Sequence, residues 1–225
     1  MTHLDKTKEL ILQKSVLKQD IFENIQSHFM VFKKQAQEIE HQLKNWCADA
    51  RISIKYSEEH RFEFWLQVGG DLLIFSMHTN VFSFPEEHVF LKSKYVKENT
   101  NRGFCGMIEV YNFLNDSIKY QRNNDIGELI ARVFINSENH FFVEANGPLG
   151  FKYRDYDKQI IDENAVFQLI ENFINSSIEF DLWVPNFNDV RYVPLNYLMM
   201  RNGENPPHET SKRLGFDIYN LNQEI

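Results

Sequence analysis

The sequence predicts an α+β fold: a long N-terminal helix packed on a largely antiparallel sheet, with additional helices near residues 106–120 and 161–178. Three patterns predict it. Apolar residues at Phe22, Ile25, Phe29, Phe32, Ala36, Ile39, Leu43 and Trp46 fall alternately three and four apart, which is the seam of a helix. Phe62–Met77 and Ile126–Ala145 each read as two extended runs joined by a short turn. Ile161–Ile178 returns to helical spacing, with Val166, Ile170 and Phe173 on its apolar side and Asp162 and Glu163 favouring its N-terminal end.

A helix from about Leu4 to Ala48 would be about 65 Å long at about 1.5 Å per residue. A folded chain of this size is only about 45 Å across, from a radius of gyration of about 17 Å. The rod must therefore break, overhang or pair. Upstream, Leu10, Leu17 and Ile21 leave the seam and Lys18 and Ser15 enter it, which predicts a bend or a change of packing partner near Lys18. The C-terminal part is expected to lie on a sheet and the N-terminal part to form an arm for dimerisation. Burial of the whole stripe in one core face is preferred over dimerisation.

After the helix, Ile52, Ile54 and Tyr56 alternate as a strand, and Ser57–His60 reads as a polar turn. In the first hairpin Gly69-Gly70 supplies the positive φ values a two-residue turn needs, and pairs Leu66 with Leu73, Phe64 with Phe75 and Phe62 with Met77. Val81–Phe84 is expected to add a third strand. Lys92, Lys94, Lys97 and Arg102 make the one basic cluster. Gly106–Tyr120 keeps helical spacing better than strand alternation and is read as a helix. In the second hairpin a Ser137-Glu138 turn puts Ile135 opposite His140, Val133 opposite Phe142 and Ala131 opposite Glu144. Both of its faces are largely apolar, so it belongs at the centre of the sheet. Asn146–Gly150 reads as a turn. Phe180–Val184 and Val190–Val193 read as edge strands because Pro185 and Pro194 exclude central ones. The chain is expected to form one domain over 1–225: a helical arm at 1–50, mainly sheet over 51–146, helix and edge segments over 147–200 and a tail over 201–225.

A net charge of −8 argues against a nucleic-acid binder, which needs a basic footprint. Cys47 and Cys105 stand in unrelated contexts and form neither a metal-spacing motif nor a disulfide framework. With no apolar leader at the N-terminus and no membrane-length apolar run, a cytoplasmic location is expected. The sequence contains no phosphate-binding glycine loop, no nucleophile elbow, no H-E-x-x-H and no calcium loop. Neither a cofactor nor a metal is called for, the nearest metal-like run being Glu86-Glu87-His88.

His140 and Glu144 are the best chemical pair. At i and i+4 of a strand they share a face about 13 Å apart, too far for a direct hydrogen bond. A position near a wet hairpin end explains both without a function. Arg132 stands on an apolar hairpin face and needs a partner. Asp116, Asp125, Asp155 or Asp157 would supply it structurally, and a ligand carboxylate or phosphate functionally. Tyr120, Arg122, Asp125 and the Phe151–Asp157 loop adjoin that hairpin and suit stacking plus charge recognition, though a solvated connector explains them equally. The favoured reading is a cytoplasmic interaction or regulatory module, dimeric through the N-terminal helix. The alternative is a sensor of a small anionic metabolite or nucleotide near Arg132, and the second alternative a hydrolase using His140.

Overall fold

The three-and-four seam folds as a helix because its apolar side chains, Trp46 excepted, face the chain's own core over the sheet. In the computed structural model, which describes residues 3–123, 125–182, 184 and 186–195, the N-terminal rod is helical over 44 residues. It consists of α1 (His3–Leu10), a wider π-helical stretch at Ile11–Ser15, and α2 (Val16–Trp46). The lane change read near Lys18 follows this underwound stretch, because a π turn takes up extra residues and rotates the stripe. From Ile21 onward the stripe is core: Ile21, Ile25, Phe29, Phe32, Ala36 and Ile39 are buried. The seam loses contact at its last position, where Trp46 is 81% exposed. No side chain of α1 or of the π stretch is buried.

Six strands follow: β1 (Ile54–His60), β2 (Glu63–Val68), β3 (Asp71–Met77), β4 (Gly106–Leu114), β5 (Glu128–Ile135) and β6 (Phe141–Ala145). They pair antiparallel in sequence order. The shorter helices are α3 (Lys94–Glu98), α4 (Asn115–Lys119) and α5 (Gly147–Lys152). Then come α6 (Glu163–Ile178), capped by the Asp162 carboxylate accepting from Ala165 N at 2.7 Å, and α7 (Phe187–Val190). α2 and α6 lie side by side over one sheet face, and the core between them holds Phe29, Phe64, Phe75, Val133, Phe141 and Phe173. α2 approaches β4 so closely that a Cβ on Gly106 would lie 2.5 Å from Ile25 Cδ1. A smaller aromatic cluster covers part of the opposite face: Phe90, Phe134, Phe142, Met107, Cys105 and Tyr156.

The β2–β3 hairpin has the expected register, with Gly69 at φ +62°. The β5–β6 hairpin is slipped by one residue from expectation: Ile135 pairs with Phe141, Phe134 with Phe142 and Arg132 with Glu144. The turn has three residues, not two. Asn139 adopts φ +65°, and Asn136 N donates to His140 O at 3.0 Å across it. A turn followed by one left-handed residue is the usual three-residue solution, and asparagine tolerates that conformation.

Other expectations need correction. Gly106–Leu114 is a strand, and helix is confined to Asn115–Lys119. β4 is central and buries Ile108 and Val110 on the helix side and Met107 on the other, so apolar residues on both faces hid the alternation. Ser57–His60 extends β1 instead of turning, Asn146–Gly150 mostly enters α5, and Val81–Phe84 supplies only a single bridge, Phe82 to Cys105. Residues 180–182, 184 and 191–193 form no strand, and Val190 ends α7. One sheet edge was already taken: Phe141 N and Val143 N of β6 donate to the carbonyls of Gln159 (3.1 Å) and Tyr153 (3.2 Å). The predicted tail at 201–225 lies outside the described residues. Among the described residues no helix is long and apolar enough to cross a membrane.

Candidate functional site

The outward side chains of β6, Phe142 and Glu144, form the floor of a cavity of about 680 Å³. One wall is the helical turn Val89–Lys92, which carries Val89, Phe90 and Lys92, preceded by His88. The other is α5 with the loop after it, carrying Phe151, Arg154 and Asp157. The chain turns into this wall because Pro148 starts α5 in its first turn.

The two walls are tied together below the cavity. Tyr156 OH donates to the Arg102 carbonyl at 2.8 Å, and the Cys105 thiol lies 3.6 Å from the Tyr156 hydroxyl oxygen. Burial pushes the Cys105 thiol up to about 12 and pushes the Tyr156 phenol up as well, so both stay neutral. Arg102 lies 4.1 Å over the Tyr95 ring and donates from Nε to both Glu138 carboxylate oxygens at 3.0 Å. Tyr95 OH donates to Glu138 at 2.8 Å and accepts from Asn136 Nδ2 at 3.0 Å. The Arg102 guanidinium is the main reason that Glu138 titrates below the usual glutamate range. His140 belongs to this clasp. Its ring stacks on Tyr95 at 4.1 Å, and its Nδ1 lies 2.9 Å from the Tyr156 carbonyl, which places a proton on that nitrogen.

Of the residues singled out from sequence, Glu144 lines the cavity, and Arg132 stands beside it on the neighbouring strand without lining it. The Arg132 guanidinium is not buried and takes none of the expected aspartates. It pairs with Glu144, Nε to carboxylate at 2.6 Å, with side chains 39% and 49% exposed. The cause is the one-residue register slip, which sets these two charges directly opposite. His140 and Glu144 do not converge, since His140 is engaged by Tyr95 and Tyr156. Tyr120, Arg122 and Asp125 form a separate cluster before β5 and do not line the cavity. There the Ser117 hydroxyl donates to Asp125 at 2.6 Å, Arg122 Nε lies 3.1 Å from the same carboxylate, and the Arg122 guanidinium lies 6.0 Å from the Tyr120 ring centroid. From the Phe151–Asp157 loop, Phe151, Arg154, Asp155, Tyr156 and Asp157 line the cavity.

Lys92, His88 and Phe142 were not read as one site from sequence, because only the outer-face packing of residues 82–104 brings His88 and Lys92 to Phe142 on β6. Lys92 and Arg154 have no ion-pair partner among the described residues, whereas Asp155 holds Lys158 at 2.7 Å. His88 Nδ1 is buried with no hydrogen-bond partner among the described residues, its ring held against Phe84, Phe90 and Phe142. Among the described residues no three His, Cys, Asp or Glu side chains gather as a metal site requires.

No protein-family model matches the chain, and comparison with curated proteins and with solved structures returns no significant match.

Proposed function

We propose that this chain is a regulatory module that binds a small molecule in the cavity between Val89–Lys92 and the α5 wall. The observation that carries the reading is the cavity itself. Its volume of about 680 Å³ falls within the roughly 300–1,000 Å³ of small-molecule sites. Aromatic side chains make much of its lining, charged groups stand around it, and its walls are clasped by the Tyr95–Arg102–Glu138 and Tyr156 contacts. A clasped cavity suits recognition, since little ordering remains to be done on binding.

A thermal-shift screen against a metabolite collection tests this. A ligand at about a hundred times its Kd would stabilise the fold by about 2.7 kcal/mol. Val89→Trp, which places an indole in the cavity, should abolish that shift. Should every stabilising compound act equally on the variant, the proposal fails.

A second reading rests on a different observation. Leu4 and Leu12 are 63% and 67% exposed on a helical arm that buries no side chain. We propose pairing of this arm with a second copy as the route by which ligand state would be reported. Light scattering over a concentration series tests it, with Leu4→Ser/Leu12→Ser expected to give a monomer. A wild-type monomer at all concentrations removes this second reading and leaves the cavity proposal standing.

A further inference from the structure

We infer that the ligand of this cavity is an amphipathic anion, a flat apolar body bearing one carboxylate or phosphate that is received by Lys92 and Arg154. This rests on the cavity being the binding site. The formal charge of the lining misleads. Glu144, Asp155 and Asp157 outnumber Lys92 and Arg154, so the cavity looks acidic. Two of those acids already have cations supplied from outside the lining: Arg132 holds Glu144, and Lys158 holds Asp155. Lys158 also feels Asp157. Among the described residues, the charged lining groups left without an ion pair are the two bases, Lys92 and Arg154, and one acid, Asp157. Two unpaired bases against one unpaired acid leave the lining with an excess of free positive charge, which makes a receptor for an anion.

The two cations come from opposite walls, and each stands on fixed backbone. Lys92 lies between the buried Phe90 and Ser93, whose N donates to the Phe90 carbonyl at 3.1 Å. Arg154 follows the buried Tyr153, whose carbonyl accepts from Val143 N at 3.2 Å, and its own carbonyl accepts from Tyr156 N at 3.1 Å. An acidic group held between them would close the mouth of the cavity. The apolar body would then lie on Phe142 and Phe90, with the Phe151 ring, 73% exposed, free to cover it. A cationic or uncharged ligand of the same shape would leave both bases uncompensated.

Two matched dyes test the inference on the full chain: anionic 1-anilinonaphthalene-8-sulfonate and its neutral counterpart N-phenyl-1-naphthylamine. Fluorescence titration should show Val89→Trp weakening both. Lys92→Gln/Arg154→Gln should weaken the anionic dye about tenfold and leave the neutral dye unchanged, the scale of losing charge-assisted contacts. Bound anionic dye should be displaced by 2-naphthoate or by 2-naphthyl phosphate, the better competitor naming the oxyanion, and not by 2-naphthamide. Both exchanged residues are exposed, and unchanged circular dichroism would show that the variant folds. If Val89→Trp weakens both dyes but the double exchange leaves the anionic one unaffected, or if the amide competes as well as the acids, the charge inference falls and the cavity reading stands. If Val89→Trp changes neither dye, both fall.

Discussion

Arg132 and Glu144 face each other across β5 and β6, the guanidinium Nε donating to the carboxylate at 2.6 Å. Glu144 stands in the cavity floor and Arg132 beside it on the same face, outside the lining, so Arg132 silences a charge of a cavity it does not itself line. Arg132→Ala should expose that carboxylate and weaken binding of the anionic dye several-fold. Adding Glu144→Ala should return most of the affinity, a coupling that a double-mutant cycle measures. If the second exchange restores nothing, the pair does not govern the charge of the cavity.

Lys33 is almost wholly buried on α2, and its ammonium donates to Glu58 of β1 at 2.7 Å. Tyr56 OH donates to the other Glu58 oxygen at 2.8 Å. Removing the carboxylate leaves the cation unpaired, whereas removing the cation leaves a half-exposed carboxylate that water can reach. Glu58→Gln should therefore cost about 1–3 kcal/mol and Lys33→Met much less. Urea unfolding of both variants checks the asymmetry; equal losses would contradict it.

The same carboxylate predicts acid sensitivity. Lys33 chiefly, with Tyr56, holds Glu58 below the usual glutamate range, and Arg102 does the same to Glu138. A folded value below the unfolded one gives stability that is fully present above the unfolded value of about 4.3 and lost as pH falls through the folded value. The melting temperature should thus drop as pH is lowered from about 5 toward 3. Glu58→Gln/Glu138→Gln should be less stable near neutrality and show a shallower drop across that window. A parallel drop would place the acid sensitivity elsewhere.

Gly106 is where α2 meets the sheet, and any Cβ there collides with Ile25, including its Cβ and Cγ2 at 2.8 Å. Neither side can yield readily, because Ile25 is buried in the core. Gly106→Ala should cost about 1–3 kcal/mol, the range of overpacking in a close-packed interior. Thermal unfolding of the variant measures it, and an unchanged melting temperature would mean that the rod is free to lift.

Much of the frame was legible in the chain. Phe29, Phe32 and Ile39 announced their helix face, Gly69-Gly70 set the β2–β3 register, and Asp162 marked the start of α6. These are local signals, carried by spacing or by one residue's backbone preference. β4 was misread because a central strand is apolar on both faces, so Met107 next to Ile108 imitates a helix. The cavity was half legible. Phe151–Asp157 stood out by composition, but its joining to Lys92 depends on Tyr156, Arg102 and Cys105 meeting across about fifty residues, and no local pattern encodes that meeting. Arg132 drew attention for its apolar neighbours, yet its partner was hidden by a turn one residue longer than expected.

That turn has a consequence for what the protein can recognise. β6 presents Phe142 and Glu144 outward and Phe141 and Val143 inward because Ser137, Glu138 and Asn139 together bridge the strands. Shortening the bridge by a single residue would roll the strand over, sending a valine outward and an acid toward the aromatic interior. Loop length here acts as a selector of chemistry: a deletion far smaller than the cavity would exchange its floor.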